Sequence, residues 1–171
     1  MKYHILLPLM AAGLVLLCAC GGGKEPAPPE IGGEPLDITS FYFSHSASVM
    51  DDCYCLKVAR GEAGSHLYAE ELFSGGRIVD TIIDDSVPEQ LGALSGTYHL
   101  DRWDGFDKSS SSVSDGSSFT LEITLADGST ISAHGSNRFP AYYSEVSSAI
   151  RALYTELMEQ YADSEGKEDT Q

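Results

Sequence analysis

The sequence has little positive charge. Ten lysine and arginine residues stand against 26 aspartate and glutamate residues, so the formal net charge is −16 at pH 7. Because nucleic acids are bound by neutralising their phosphates with lysine and arginine, this balance argues against a nucleic-acid partner. Cations, basic proteins and neutral glycans fit it better, and a surface charge that only keeps the protein soluble fits it as well.

The sequence also lacks the short motifs of several catalytic and cofactor sites. It contains no Gly-x-Gly-x-x-Gly or Walker A sequence for phosphates, no Gly-x-Ser-x-Gly nucleophile turn, no local Cys–His signature and no EF-hand loop. The serine run at 109–112 is interpreted as a mobile loop. These absences favour a binding protein over an enzyme, and we expect no catalytic residues, no bound metal and no cofactor.

The amino-terminal segment predicts export. The apolar tract at 5–17 is too short for a transmembrane helix, which needs about 20 residues. It lies between a start that carries Lys2 and a group of small residues, which is the order found in secretory signal peptides. The four residues Leu-Cys-Ala-Cys at 17–20 resemble the lipobox of bacterial lipoproteins. This resemblance implies that residues 1–19 are removed and that Cys20 carries a covalent lipid; a free thiol after an ordinary signal peptide is the alternative.

The remaining chain divides into a linker, a domain and a tail. Residues 21–36 read GGGKEPAPPEIGGEPL, a composition that predicts a flexible to semi-extended linker. We therefore assign 20–36 to the lipidated cysteine and linker, 37–162 to one domain, and 163–171 to a disordered acidic tail. The predicted location is the bacterial cell envelope, on the outer face of the cytoplasmic membrane or at the outer membrane, with the membrane reached through the lipid anchor.

Alternating apolar residues predict the strands of the domain. Strands are expected at 38–45, 53–60 and 66–73, with a shorter one at 77–83. The clearest hairpin joins 119–125 to 129–134. Only a three-residue Ala-Asp-Gly loop places Ile123 opposite Ile131 on the apolar face, so Gly128 is expected in the left-handed conformation.

Two helices complete the predicted fold. Ser-Val-Pro-Glu at 86–89 matches a capping box for a short helix that ends near Gly96. Pro140 is expected to open a last helix. The apolar stripe of that helix comprises Tyr142, Val146, Ala149, Ile150, Leu153, Leu157 and Tyr161. The predicted class is α+β, with an antiparallel β-sheet packed by a C-terminal amphipathic helix and a shorter middle helix.

Three segments of the domain form a recognisable series. They are Trp-x-Gly-Phe at 103–106, the Asp-Gly hairpin, and Gly-x-Asn-x-Phe-Pro at 135–140. Together they resemble a family of uncharacterised exported lipoproteins and related domains from gut-type bacteria. The resemblance covers most of residues 37–157 and supports the α+β prediction, but it implies no activity and no catalytic residue.

The cysteines and acidic clusters leave alternatives open. Cys53 and Cys55 lie on one face of a strand and are too far apart for an easy disulfide. Buried thiols are therefore favoured over a strained disulfide or half of a soft-metal site. The histidines that could complete such a metal site are His45, His66, His99 and His134. The carboxylates at 51–52, 84–85 and 101–107 are assigned to turns and solubility, with calcium binding as the alternative.

Aromatic and basic residues of two predicted loops form a candidate recognition surface. Its members are Arg102, Trp103, Phe106, His134, Asn137 and Arg138. Core packing of Trp103 and a structural role for Asn137 are the alternative interpretation. The sequence therefore predicts a tethered binding or protein-interaction module whose partner is an envelope protein or a glycan. The alternative function is a small envelope enzyme or inhibitor-like domain that acts on peptidoglycan or a secreted protein.

Overall fold

A computed structural model of the protein describes residues 28–48, 52–73, 76–111 and 116–162. The predicted signal peptide, the lipid site at Cys20 and the predicted tail lie outside the described residues. The elements, in chain order, are β1 (Ile38–Ser46), β2 (Tyr54–Gly61), β3 (Gly64–Glu71), β4 (Ile78–Ile83), α1 (Ser86–Thr97), a 3₁₀ turn (Leu100–Trp103), β5 (Phe106–Ser109), β6 (Ser118–Leu125), β7 (Thr130–Ser136) and α2 (Tyr143–Tyr161).

The strands form one mixed sheet in the order β4-β3-β2-β1-β6-β7-β5. Neighbouring strands are antiparallel except for β5, which pairs in parallel with β7. The predicted α+β class, with the C-terminal helix on the sheet, is confirmed. β5 carries no sequence signal, because it has four residues and no apolar alternation. It ends at Ser109, the first residue of the serine run that the sequence assigned to a loop.

The hairpin between β6 and β7 has the predicted register. Ile123 lies opposite Ile131. Gly128 is left-handed, with φ of 85°. Its amide donates to the Leu125 carbonyl oxygen at 2.9 Å, and the Leu125 amide donates to the Ser129 carbonyl oxygen at 2.9 Å. The three-residue loop and its bulge are therefore confirmed.

One face of the sheet and both helices enclose the core. Phe41, Phe43 and Phe119 are fully buried on this face. The helices contribute the buried side chains of Val87 and Leu91 from α1, and of Val146, Ile150, Tyr154, Leu157 and Met158 from α2. Tyr154 and Met158 extend the predicted stripe of α2. The other sheet face is more polar and carries Tyr42, Lys57 and Glu122 in a shallow depression.

Both helix starts differ from the prediction. Asp85 is the N-cap of α1, and no side-chain hydrogen bond caps this end of the described helix. Ser86 instead donates its amide to Asp84 Oδ1 at 2.8 Å, so the predicted capping box is wrong because an Asx turn replaces it. Pro140 does not open α2. Tyr142 is left-handed, with φ of 62°, and this turn delays the helix until the next residue.

Part of the predicted linker is packed against α1. The Leu36 amide donates to the Gly92 carbonyl oxygen at 3.0 Å. A Cβ atom on Gly96 would lie 2.0 Å from the Glu34 carbonyl oxygen, so the two backbones meet directly. Residues 28–36 of the predicted linker, termed the strap, therefore make specific backbone contacts with the domain. The strap has few apolar side chains to bury, but its backbone is held by hydrogen bonds and by two glycines of the helix.

Candidate functional site

A groove with a volume of about 590 Å³ opens beside the strap. Volumes of about 300–1,000 Å³ are typical of small-molecule sites. Its aromatic lining consists of Tyr98, Trp103, Phe106, Phe139 and Tyr142, and its basic lining of His99, Arg102 and Lys108. Pro28 and Pro29 of the strap also line it. We term this site the aromatic groove.

Trp103 forms part of the groove from within the core. Its side chain is only 3% exposed. The ring packs edge-on against Phe119, with ring centroids 5.8 Å apart, and lies 6.1 Å from the ring of Tyr143. The contacts of Trp103 therefore fit the core-packing interpretation, because neighbouring side chains cover most of its ring. Replacing Trp103 would destabilise the fold, so a loss of binding in such a variant would not show that Trp103 contacts a ligand.

Other rings reach the surface of the groove. Phe139 is 38% exposed and stacks on Tyr143 at 4.3 Å between ring centroids. Phe106 is half-buried, and its ring lies 6.3 Å from that of Phe119. These stacked rings give the groove a rigid apolar wall, since their positions are fixed by the core behind them.

The basic side chains of the groove come from three short segments. Arg102 is exposed on the 3₁₀ turn. The Lys108 ammonium lies 5.1 Å from the centroid of the Phe106 ring. His99 Nε2 lies 3.0 Å from the Glu30 carbonyl oxygen, which joins this histidine to the strap. None of the described lining residues is Asp or Glu.

The strap closes one side of the groove. The Tyr142 hydroxyl donates a hydrogen bond to the Pro29 carbonyl oxygen. The Tyr142 and Tyr98 rings also contact each other, with centroids 6.0 Å apart. The sequence placed Tyr142 in the apolar stripe of the last helix, and neither Tyr98 nor Tyr142 was assigned to the recognition surface. Pro28 and Pro29 were not predicted to line a site either. Backbone contacts hold the strap, so no apolar pattern in the sequence indicates its position.

The structure brings together only part of the predicted recognition surface. Arg102, Trp103 and Phe106 line the groove, and Arg138 is exposed but outside its lining. His134 lies on the opposite face of the sheet, where its Nδ1 atom is 3.4 Å from Asp107 Oδ1. The predicted grouping of His134 with Trp103 is therefore wrong. Side chains alternate between the two faces of the sheet along β7. Because the preceding residue, Ala133, is buried in the core, His134 lies on the opposite face.

Asn137 has a structural role. Its Oδ1 atom accepts the Ser117 amide at 3.0 Å, and its Nδ2 atom donates to the Ser110 carbonyl oxygen at 3.2 Å. Its backbone is left-handed, with φ of 56°, a conformation that asparagine tolerates better than most residues. Asn137 thus ties the end of β7 to the segments after β5 and before β6, and it does not line the groove.

A second cavity, of about 310 Å³, lies between β1 and α2. His45, Asp52 and Arg151 line it, and Tyr143 contacts His45; we term these four residues the His45 cluster. His45 Nδ1 lies 2.8 Å from the Tyr143 hydroxyl, and its Nε2 atom lies 3.5 Å from Asp52 Oδ2. Arg151 pairs with the same carboxylate. Burial, and then the positive charge of Arg151, lower the pKa of His45 below its ordinary value.

The chemistry of the His45 cluster follows from these contacts. A neutral His45 accepts a hydrogen bond from the Tyr143 hydroxyl at Nδ1 and directs its Nε2 proton towards Asp52. Burial raises the pKa of Tyr143, so its hydroxyl stays protonated at neutral pH. A protonated phenol is a poor nucleophile. The cluster therefore serves first to join the end of β1 to the start of α2.

The cysteines and acidic turns of the described residues differ from the arrangements that a disulfide or a metal site needs. Cys53 and Cys55 do not form a disulfide; Cys53 is half-buried and Cys55 is buried, as predicted. Burial, and then the charge of Glu70, raise the pKa of Cys55 to about 11, which disfavours its thiolate. Among the described residues, no group of three or more His, Cys, Asp and Glu side chains could hold a metal ion.

Comparison with known proteins leaves the site to be interpreted from its geometry. No family model, curated protein or solved structure matches this chain. The resemblance to exported lipoproteins stays a prediction from the motifs. In the described ranges, no helix combines the length and apolar character needed to cross a membrane.

Proposed function

We propose that the protein is a lipid-anchored binding module of the bacterial cell envelope and that the aromatic groove is its binding surface. The groove is the observation that carries this proposal. It has the size of a ligand site, an aromatic wall and basic side chains in its lining. The sequence predicts an envelope protein or a glycan as the partner, and the dimensions of the groove add small molecules to these classes.

The strap links the proposed anchor to the groove. Pro28 and Pro29 line the groove. Pro28 lies eight positions after Cys20 in the sequence, and an extended chain spans at most about 3.3–3.6 Å per residue. A lipid on Cys20 would therefore hold the groove within about 30 Å of the membrane surface. A ligand in or near the envelope membrane would be within reach.

The anchor is tested by the mass of the amino-terminal peptide. Protein from the membranes of its own cells is digested, and the peptide that begins at Cys20 is analysed by mass spectrometry. We expect a diacylglycerol-modified Cys20 in the natural protein and in Cys18→Ser, and none in Cys20→Ser. An unmodified Cys20 in the natural protein would contradict the proposed anchor.

The groove is tested by an apolar truncation. Phe139→Ala removes a partly exposed ring from the groove. Ile82→Ala is the matched control, because Ile82 is 54% exposed on an edge strand and does not line the groove. Molecules that co-purify with the lipidated protein are extracted and identified. The proposal predicts a species that is lost in Phe139→Ala and kept in Ile82→Ala.

A small enzyme acting on peptidoglycan or a secreted protein is the second candidate function. The observation that favours it is His45, a histidine with a lowered pKa beside a cavity. It ranks second because the hydroxyl bonded to His45 belongs to the protonated Tyr143. Hydrolysis of peptidoglycan that disappears in His45→Gln, in a variant that melts cooperatively, would favour the enzyme.

A further inference from the structure

The groove differs from the rest of the molecule in charge. The whole chain has 26 acidic residues against ten lysine and arginine residues. The groove reverses this ratio, because Arg102 and Lys108 line it and none of its described lining residues is acidic. A local site can thus attract the charge that the overall surface repels.

We infer that the aromatic groove selects a small anionic molecule whose apolar body is a ring system. This inference rests on the proposed function, since it names the ligand class of the same groove. It differs from the partners suggested by net charge alone, which are cations, basic proteins and neutral glycans. The groove is concave and lined by rings, so we argue its ligand class from its own lining and not from the net charge of the chain.

Arg102 is the side chain that supplies the charge selection. Three other arginines, Arg60, Arg77 and Arg151, pair with carboxylates of Asp37, Glu71 and Asp52. The Arg102 guanidinium forms no hydrogen bond or ion pair with the described residues, and it is exposed at the groove. A guanidinium presents five donors in a planar fork that matches a carboxylate, sulfonate or phosphate. An anionic group is the partner that this fork fits.

The ring preference follows from the walls. Phe139 and Phe106 present partly exposed rings, and Pro28 and Pro29 border the groove as well. Flat apolar groups stack on such rings with offset or edge-on geometry. A ligand with an anionic group at Arg102 and a ring against Phe106 or Phe139 would contact both the basic and the aromatic side chains of the lining.

The test uses two probes that share a ring system and differ in charge. Naphthalene-1-sulfonate is an anion, and naphthalene-1-sulfonamide is its neutral analogue. Each is titrated by equilibrium dialysis against the lipidated full chain in nanodiscs, with empty nanodiscs as the blank. We expect saturable 1:1 binding of the sulfonate, about tenfold tighter than that of the sulfonamide, because the charged hydrogen bond to Arg102 is made by only one of them.

Two charge-matched variants identify the cause. Arg102→Gln is expected to lower the sulfonate affinity about tenfold, to that of the sulfonamide, and to leave the sulfonamide affinity unchanged. Lys57→Gln removes the same charge from the other face of the sheet and is expected to change neither. Both replaced side chains are exposed, so cooperative melting of both variants is expected.

The outcomes separate the inference from the proposed function. Equal binding of both probes, or an unchanged sulfonate affinity in Arg102→Gln, would overturn the anion selection and leave the groove as a binding surface. Binding of neither probe would count against the ring-bearing anion and also against the groove. Binding that survives Phe139→Ala unchanged would place the probes elsewhere on the molecule and would overturn the inference as well.

Discussion

Replacement of Gly96 by alanine tests the packing of the strap. Gly96 lies inside α1, where alanine is the better helix former by about 1 kcal/mol. Helix propensity alone therefore predicts a more stable protein. The structure predicts the opposite, because the new Cβ atom would lie 2.0 Å from the Glu34 carbonyl oxygen and 3.0 Å from the Pro35 Cα atom. Both are backbone atoms, so the strap itself must move.

The magnitude follows from the contacts that hold the strap. Displacement breaks the hydrogen bond from the Leu36 amide to Gly92 and the one from the Gly32 amide to the Thr97 carbonyl oxygen. Each contributes about 1 kcal/mol net, and the partly buried Leu36 side chain adds about 1 kcal/mol. After the propensity gain is subtracted, we expect the free energy of unfolding to fall by about 2 kcal/mol.

Urea unfolding followed by circular dichroism measures this change. The control is Ala93→Gly, at an exposed position of the same helix, which propensity predicts to cost about 1 kcal/mol. Hydrogen exchange should show loss of protection at the Gly32 and Leu36 amides in Gly96→Ala only. A Gly96→Ala protein that is more stable than the natural one, with both amides still protected, would refute the packing of the strap against α1.

Three further predictions concern the turn, the histidine and the thiol. Gly128→Ala should lower the free energy of unfolding by about 1 kcal/mol through its φ of 85° alone, because no atom lies within 4 Å of the added Cβ; urea unfolding checks this, and Gly128→Asn should cost less. Because the folded-state pKa of His45 lies below 6.5, the unfolded chain binds more protons, and stability is lost as pH falls below about 6.5. In His45→Gln, the free energy of unfolding should depend less on pH in this range. An unchanged pH dependence would contradict the lowered pKa of His45. With its pKa near 11, Cys55 should react with iodoacetamide far more slowly at pH 7 than at pH 10, and fast labelling at pH 7 by peptide mass spectrometry would contradict that value.

Local patterns predicted the parts of the fold that depend on neighbours in sequence. The β6–β7 register follows from alternation and from a glycine at Gly128. The burial of Ile150 and Leu157 follows from helical spacing. β5 escaped prediction because its partner strand is parallel and distant in the chain, so no local turn or alternation marks it. The packing of the strap was not predicted either. Backbone contacts with Gly96 hold the strap, and such contacts leave no pattern of side chains in the sequence.

The site was predicted less completely than the fold. Arg102 and Phe106 were found because aromatic and basic residues lie together in that loop. The outward direction of His134 was available from the same register that placed Ala133 inward, so alternation along β7 would have removed it from the surface. The burial of Trp103 depends on rings of β6 and α2 that meet it only in the folded chain.

We propose that the aromatic groove is the binding surface of a tethered module. Native mass spectrometry of the lipidated protein, released from the membranes of its own cells, tests it most directly. The account predicts one bound anionic species in the natural protein and in Lys57→Gln, and its loss in Arg102→Gln and Phe139→Ala. The same species bound equally by all four proteins would contradict the account.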